Sequence, residues 1–522
     1  MSGFEKILPW KGRGVKPRHA GGMPEGGTGC EAAAVRSTVE GLVRPLRRAS
    51  RATFPYRGGL VAALLASAFL AAPAAAQTVA ITGGTVALGD GSEPIQGGTV
   101  VIRDGRIVAA GRGVAVPAGA QVVDATGKWV TPGIVAGFSR IGLVEVDAVD
   151  ATNDVEAGNS PFSAAIDVAP AVNPRASAIA INRAGGVTRA IVAPATARSI
   201  FAGQGAVIDL GADMNAVTRA RAFQFVEFGE QGSREAGGSR AAMHVLFRNA
   251  LREARDISRY SGIASGGGAA RQARANDQRD LPLEEVPGSN GLLGANVNRP
   301  DDVLLTRFDA AALVPVLQGR QLLLVHVERA ADILQALSLR KEFPNLRLVL
   351  VGVAEGWTVA KDIAAAGVPV IASALTDLPN SFEQLASTQS NIGRMRAAGV
   401  RVAIGMIDDE EARQVRLSRQ YAGNLVAVAR LPGATGLSWG QALEAITSAP
   451  AEAVGMGGDF GSLRPGRRAD VVVWDGDPLE NGSAAEIVLI DGVQQPLSNR
   501  QTKLRDRYRT PGEGQLPKAY QK

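Results

Sequence analysis

The sequence predicts an α/β protein, a TIM-like barrel with a small β-sandwich that is built from both ends of the mature chain. The middle of the chain alternates short apolar runs with helical segments at the spacing of parallel strand–helix–strand units. Both flanks instead show short apolar runs separated by glycine turns, which is typical of hairpins. So many strand–helix–strand units in succession favour a barrel over an open sheet.

The first 76 residues form a predicted leader. Five arginines between Arg44 and Arg57 precede an uncharged run, Gly58 to Ala76, that is rich in Ala and Leu and ends in three alanines. This pattern indicates a secretory signal that is cleaved before Gln77. A start codon assigned too far upstream, or a real cytoplasmic extension, would explain the Gly- and Pro-rich part before it. We therefore expect a periplasmic or secreted protein that is free of the membrane after cleavage.

Charge and cysteine content narrow the possible partners. The chain carries a formal net charge of +6, but residues 1–57 hold a surplus of seven cations, so the remainder is close to neutral at −1. The basic character belongs to the leader and gives no reason to expect a nucleic-acid partner. The single cysteine, Cys30, also lies in the leader, so the mature chain has no disulfides and no thiolate ligands.

The two predicted parts of the sandwich are residues 77–130 and 456–500. In the first part, Thr99 to Ile102 leads through Asp104-Gly105 into Arg106 to Ala109, and an Asp-Gly pair between apolar runs is a strong hairpin signal. The second part shows the same pattern of short apolar runs and ends in the turn Asp491-Gly492. Residues 501–522 are expected to form a C-terminal tail.

The barrel is predicted over residues 131–455. Its expected strands are Gly186 to Val192, Leu322 to Val325, Leu346 to Val351 and Val400 to Ile404, and its expected helices include Ala241 to Tyr260, Ala330 to Phe343 and Trp357 to Ala366. The Gly-, Arg- and Asn-rich stretch between Gly262 and Arg279 predicts a surface loop, either a lid or an unstructured insertion.

Three motifs give the sequence a family resemblance. They are the barrel entry Thr131-Pro132-Gly133, the helical run Gln441 to Gly455, and the run Gly461 to Trp474, which contains Leu463-Arg464-Pro465-Gly466 before Ala469-Asp470. Together they resemble the amidohydrolase superfamily over about residues 78 to 500. The texture is similar to that of imidazolonepropionase-like exported amidohydrolases.

The resemblance implies a (β/α)8 barrel with its active site at the carboxyl ends of the strands. It implies hydrolysis of a carbon–nitrogen bond other than a linear peptide bond, by water activated on a divalent metal, usually zinc. In the family, the metals are held by a His-x-His on strand one, by one histidine each on strands five and six, and by an aspartate that ends strand eight.

Few of these ligands are present. The His-x-His positions read Phe138 and Arg140, and the expected place of the strand-six histidine, Gly352 to Glu355, contains none. His326 fits the strand-five histidine, and a one-residue bulge would bring Asp408 to the position of the aspartate. We therefore expect no ordinary binuclear metal site, and no cofactor is assured.

Two other residues are weaker candidates for the site. His244 lies in a helical run and is expected to be packed or on the surface instead of binding a metal. Ser139 lies in a segment that begins like a nucleophile elbow but lacks the closing glycine. This makes Ser139 a weak candidate nucleophile.

The remaining enzymatic hypothesis is a metal-free acid–base site at the barrel mouth. In it His326 is the general base and Asp408 a second catalytic group, while Arg140, Arg329 and Glu355 bind substrate, with either arginine holding an anionic group. In the alternative, His326 has a structural hydrogen bond, and Glu355 and Asp408 are solvated loop residues.

Three functions follow from these expectations. The first is an exported amidohydrolase-family enzyme that hydrolyses a cyclic amide, a ureide or a related small molecule at a metal-poor site. The second is a catalytically inactive barrel that binds a small molecule or a partner. The third is a structural envelope protein, and the fold alone does not decide among them.

Overall fold

The structure is a computed structural model that describes residues 78–146, 149–265, 304–374, 376–407 and 413–509, with side chains described except at 259–265. The predicted leader and Asp408 lie outside these residues. The predicted loop between Gly262 and Arg279 lies outside them too, except at its start, where Gly262 to Ser265 are helical.

The small sheet contains strands from both ends of the chain, as the sequence predicts. Its strands are β1 (Thr78–Val86), β2 (Ile95–Arg103), β3 (Arg106–Gly111), β4 (Gln121–Asp124), β5 (Trp129–Pro132), β14 (Val471–Trp474), β15 (Ala485–Ile490) and β16 (Val493–Gln494). They run in the order β16-β15-β14-β5-β1-β2-β3, and β4 pairs with β1. The first and last parts of the chain therefore meet where β5 pairs with β14.

Both predicted Asp-Gly turns are present. Asp104 and Gly105 have φ values of 52° and 72°, and they join β2 to β3. Asp491 and Gly492 have φ values of 51° and 77° and join β15 to β16. Positive φ at both central residues is the geometry of a type I′ turn, whose twist matches that of the paired strands.

The second sheet is the barrel. Its strands are β6 (Ile134–Ser139), β7 (Val187–Val192), β8 (Phe201–Asp209), β9 (Val217–Glu227), β10 (Leu322–Val327), β11 (Leu348–Gly352), β12 (Val370–Ala372) and β13 (Val402–Ile404), in that order. The seam between β13 and β6 is bridged by a hydrogen bond of 3.2 Å from the Met406 amide to the Phe138 carbonyl. Gly137 permits this approach, because a Cβ there would overlap the Ile404 carbonyl.

One strand departs from the expected all-parallel barrel. β8 runs antiparallel to both β7 and β9, whereas β6–β7 and the pairs from β9 to β13 are parallel. The connections on either side of β8, residues 193–200 and 210–216, are too short for a crossover helix. Parallel neighbours need a connection of about a dozen residues, so β7, β8 and β9 form a meander instead.

The described residues also form α-helices. They are α1 (Ser177–Ala184), α2 (Glu230–Glu235), α3 (Arg240–Ser265), α4 (Arg307–Leu317), α5 (Ala330–Glu342), α6 (Ala360–Ala366), α7 (Asn391–Ala397), α8 (Ser418–Val428), α9 (Trp439–Ala445), α10 (Ser448–Ala453) and α11 (Arg500–Arg509). No helix in the described ranges is both long and apolar enough to cross a bilayer.

Side chains of the barrel strands alternate between two apolar layers. Phe223, Phe225 and Leu324 belong to the layer that fills the barrel, while Val226, Leu323 and Val325 belong to the layer beneath the helices. This alternation is the period-two pattern of a strand that is buried on both faces. At the carboxyl end of β9, the inward-facing position falls on Glu227.

A buried arginine links the barrel to the small sheet. Arg189 in β7 is fully buried, and its Nε donates to Asp470 Oδ2 at 2.8 Å. Its Nη2 donates to Asp491 Oδ1, also at 2.8 Å. Within the small sheet, the indole of Trp474 in β14 donates to Thr131 Oγ1 in β5 at 2.9 Å. These contacts join β7, β14 and the turn after β15 into one packed unit.

Candidate functional site

A pocket of about 340 Å³ opens at the carboxyl ends of the barrel strands. Its charged lining residues are Arg140, Glu156, Glu227, His326, Glu328 and Glu383. Arg140 follows β6, Glu227 ends β9, and His326 and Glu328 lie at the end of β10. This is the end of a barrel at which enzymes of this fold carry their active sites.

His326 lies between two carboxylates. Its Nδ1 is 2.6 Å from Glu227 Oε2, and its Nε2 is 3.1 Å from Glu328 Oε1. His326 and Glu227 are register partners on adjacent parallel strands, which places their side chains next to each other. Glu328 follows His326 by two residues, so the extended chain turns both side chains to the same face.

The two carboxylates determine the protonation state of the imidazole. Burial by itself lowers the pKa of His326, but the negative charges of Glu227 and Glu328 outweigh it and hold the pKa well above the ordinary 6.5. The resting side chain is therefore an imidazolium that donates from both nitrogens. This differs from the expected general base, because the proton is already in place and His326 starts as an acid.

Gly352 makes room for Glu328. It ends β11 with φ at +90°, and a Cβ there would overlap the Glu328 carboxylate and lie 2.9 Å from His326 Cδ2. The amide of Ala354 donates to Glu328 Oε2 at 2.7 Å. The turn where the resemblance would place a histidine thus serves to hold a carboxylate.

The same turn contains a strained residue. Val353 has φ at +59°, which a β-branched side chain rarely adopts. The strain is held by three hydrogen bonds: the Val353 amide donates to the Val327 carbonyl at 2.8 Å, Asn391 Nδ2 donates to the Val353 carbonyl at 2.9 Å, and Ala354 contacts Glu328. Strain of this kind persists where its surroundings over-determine it, as at binding sites.

Glu383 reaches the pocket from the loop after β12. Its Oε2 accepts the Glu230 amide at 2.6 Å and Arg240 Nη2 at 3.1 Å, which attaches the loop to the starts of α2 and α3. Burial raises the pKa of the Glu383 carboxyl above its usual value, in spite of these bonds. Glu383 is therefore more basic than an ordinary glutamate.

The predicted site residues divide into two groups. His326 and Arg140 both line the pocket, whereas Arg329 and Glu355 are not among its lining residues. Arg329 forms a two-point bond with Asp332 in the first turn of α5. Glu355 accepts the Ala330 amide at 2.9 Å and the Ala386 amide at 3.1 Å, so it joins α5 to the loop that carries Glu383. Asp408 lies outside the described residues.

The other residues considered from the sequence are packed. The Ser139 hydroxyl is buried and donates to the Ile191 carbonyl at 3.0 Å, so it is turned into the sheet and away from the pocket. The His244 ring meets Phe228 edge to face at 5.2 Å, and burial lowers its pKa. The packing expected for His244 is thus present.

The side chains present do not fit the zinc that the fold family implies. Phe138, at the first His-x-His position, is buried with its ring 5.3 Å from Phe225 and offers no donor atom. Both His326 nitrogens bond to carboxylates, and a protonated imidazole cannot bind a metal. Within the described ranges, which omit Asp408 to Ala412, no group of three His, Cys, Asp or Glu side chains has the geometry of a metal site.

Several residues of the pocket could not be predicted from the sequence. Glu227 ends a strand that the pattern did not predict, and Glu156, Thr196 and Glu383 lie on loops. Glu328 did carry a signal, because it follows His326 by two residues at a predicted strand end.

Comparisons with known proteins agree with this architecture. Residues 341–499 match the model of the amidohydrolase family. A stretch of 60 residues is 48% identical to amidohydrolase tasK of Hapsidospora irregularis, and it covers 12% of this chain but only 6% of that protein. The chain is similar in fold to an amidohydrolase from Thermotoga maritima MSB8, with a TM-score of 0.65, 23% identity, and coverage of 81% of this chain and 100% of the other.

The fold and the pocket define an α/β barrel protein with its candidate site at the carboxyl ends of the strands. The family match over residues 341–499 and the likeness in fold support the amidohydrolase superfamily for this chain. The sequence resemblance is confirmed at this level, and so is the TIM-like barrel with its separate sheet. The narrower likeness to imidazolonepropionase-like exported members stays a prediction.

Proposed function

We propose that this protein hydrolyses a carbon–nitrogen bond other than a peptide bond in a small molecule such as a cyclic amide, with an acid–base pair doing the work of a metal. The observation that carries the proposal is the position of the His326 ring between Glu227 and Glu328 inside the barrel mouth. Superfamily membership supports a hydrolase of some kind.

His326 is the proposed proton donor. The bond from Nε2 to Glu328 is the longer of its two, at 3.1 Å against 2.6 Å, so Nε2 is the nitrogen that can turn toward a substrate. Glu227 keeps Nδ1 fixed during the transfer. A donor that is protonated at neutral pH can give its proton to the departing nitrogen as the carbon–nitrogen bond breaks.

Glu383 is the proposed base. Its hydrogen bonds from Glu230 and Arg240 go to Oε2, so Oε1 is the atom that accepts a proton from water. The water oxygen then bonds to the substrate carbonyl carbon, and the Arg140 guanidinium stabilises the negative oxygen that forms. For a cyclic amide the ring opens to one product that carries both a carboxylic acid and an amine, and proton exchange with solvent restores His326 and Glu383.

Export is part of the proposal. The Ala- and Leu-rich run that ends at Ala76 supports processing before Gln77, and hence a substrate met outside the cytoplasm. N-terminal sequencing of the protein from a cell-envelope fraction should begin at Gln77. Recovery of the unprocessed chain from the cytoplasm would contradict export and would leave the chemistry untouched.

The test of the chemistry is turnover on a panel of cyclic amides and ureides, followed by the appearance of the ring-opened carboxylic acid. The His326→Ala variant should lose at least 100-fold in kcat while its melting temperature shows that it still folds, because general acid catalysis contributes about 10²–10⁴-fold. His244→Gln serves as the matched control and should keep parental turnover. A parent protein with no turnover on the panel, or a fully active folded His326→Ala, would refute the proposal.

One observation favours a second candidate function. Both nitrogens of His326 and one oxygen of Glu383 are already bonded within the protein, which is also the arrangement of a rigid binding pocket. In this alternative, the chain is a catalytically inactive barrel that binds a small molecule or a partner. Ligand-dependent thermal shifts without turnover would support it.

A further inference from the structure

The pocket lining is unbalanced in charge. Four carboxylates face the opening, from Glu156, Glu227, Glu328 and Glu383, against two cationic side chains, Arg140 and His326. Glu156 and Glu227 also act on the neighbouring Glu235, whose pKa is raised mainly by burial and further by these two negative charges. A pocket of one dominant sign concentrates ligands of the opposite sign.

Three of the four carboxylates form ion pairs within the protein, and Glu156 is the exception. Glu227 and Glu328 bond to His326, and Glu383 bonds to Arg240. Glu156 is exposed at the mouth, and in the described part of the chain no ion pair includes it. Its carboxylate is positioned to meet a cation that enters from solvent.

Thr196 supplies an independent observation. Only 7% of this residue is exposed, yet it lines the pocket, and no hydrogen bond in the described ranges satisfies its hydroxyl. The hydroxyl is not fully enclosed by protein and opens into the pocket, where it is available to a bound ligand. A bound ligand with an N–H group would supply a partner for it.

The pocket also has an aromatic wall. Phe138 and Phe225 both line it, with ring centroids 5.3 Å apart. Aromatic faces attract cations and pack well against flat groups. The volume of about 340 Å³ suits a small molecule.

We infer that this pocket binds a ligand that carries a cationic nitrogen group, an ammonium, amidinium or guanidinium, which Glu156 and Thr196 receive beside the two phenylalanine rings. The inference names the substrate class of the site in the proposed function and rests on that site, but it does not require turnover. It differs from the anionic ligand that the two arginines led us to expect from the sequence.

The test uses three probes of nearly equal shape, benzamidine, benzamide and benzoate, which are cationic, neutral and anionic. Isothermal titration calorimetry on the purified full chain should show benzamidine binding at least 10-fold more tightly than benzamide, and benzoate most weakly. Raising the salt concentration should weaken the binding of benzamidine, because salt screens exposed charges. Equal affinities, a preference for benzoate, or no binding of benzamidine would overturn the inference.

Two variants locate the binding. Glu156→Gln should weaken benzamidine about threefold, the scale of a partly exposed ion pair. Thr196→Val, which keeps the shape and removes the hydroxyl, should weaken it about fivefold. The control is Glu480→Gln, an exposed carboxylate between β14 and β15, which should leave affinity unchanged. Parental affinity in both pocket variants would place the cation elsewhere and contradict the inference.

The outcomes for this inference and for the proposed function are separable. Selective binding of benzamidine by a protein without turnover would support the inference while the hydrolase proposal fails. Turnover of neutral or anionic amides with no preference for the cation would support the hydrolase proposal and contradict the inference.

Discussion

The Glu328 carboxylate lies against the backbone of Gly352 and occupies the space that a side chain at position 352 would fill. Through Glu328, this contact also determines how His326 is held. The absence of a side chain at the end of β11 is therefore what allows the His326–Glu328 pair to exist.

Substituting Gly352→Ala should destabilise the fold and disturb the pocket. Both the φ of +90° and the overlap with Glu328 oppose a Cβ, and residues held in unfavourable backbone regions cost about 1–3 kcal/mol each. Gly399→Ala is the matched control, because Gly399 has the same φ of +90° and nothing within 4 Å of its Cβ position. Urea denaturation should show the larger loss at Gly352, and equal losses would refute the overlap.

The pH dependence of stability should depend on His326. Its pKa in the folded protein lies above the unfolded value near 6.5, so the folded state binds this proton more tightly. The stabilisation is complete below about pH 6.5 and is lost as the pH rises through the folded pKa. Melting temperatures of the parent should therefore fall toward alkaline pH more steeply than those of His326→Gln. Parallel curves for the two proteins would contradict this.

His244 should show the opposite sign. Burial lowers its pKa in the folded state, so the unfolded chain binds this proton more tightly and stability falls as the pH drops below about 6.5. His244→Gln should remove part of this acid-side loss, as measured by melting temperature between pH 5 and 7. An unchanged acid limb would show that the ring titrates freely.

Arg189→Met should be strongly destabilising. The guanidinium is fully buried against Asp470 and Asp491, and removing one partner of a buried pair costs about 3–5 kcal/mol because it leaves buried charge without compensation. Arg505→Met, which breaks an exposed pair with Asp506, should cost less than about 0.5 kcal/mol. Equilibrium unfolding in urea compares the two, and similar losses would refute the role of Arg189.

Purified protein should hold well below one zinc per chain after mild dialysis, by elemental mass spectrometry. The physical reason is the donor set, since Phe138 offers no donor and His326 carries a proton. Stoichiometric zinc that is lost in Asp408→Ala would show a site rebuilt from ligands that include that residue. Metal-activated water would then replace the acid–base proposal.

The regular parts of the fold were predictable because their patterns are local. The strands around Leu322 and Leu348 are continuous apolar runs, and the Asp104-Gly105 turn is determined by its two residues. β8 was missed because Gly203 and Gly205 make it look like a loop. Gly205 is required there by a neighbour distant in sequence, since a Cβ would overlap the Phe223 ring.

The site was predictable only where one strand carries it. His326 was identified from the end of β10, and Glu328 was within reach of the same reasoning. The position of Glu227 beside His326 depends on the register between β9 and β10, and these two residues are 99 positions apart in the sequence. The position of Glu383 depends on its contact with Arg240, which is 143 positions away. No periodicity in the sequence encodes such contacts.

The pairing of β5 with β14 has a consequence for the order in which the molecule is made. Trp129 meets Trp474 in this pairing, so the small sheet cannot be completed until β14, β15 and β16 have been synthesised. Until then the edge of β5 that pairs with β14 is open, and the Thr131 hydroxyl lacks the hydrogen bond that the Trp474 indole donates to it. A chain that stops before β14 therefore has an unfinished sheet instead of a shortened one.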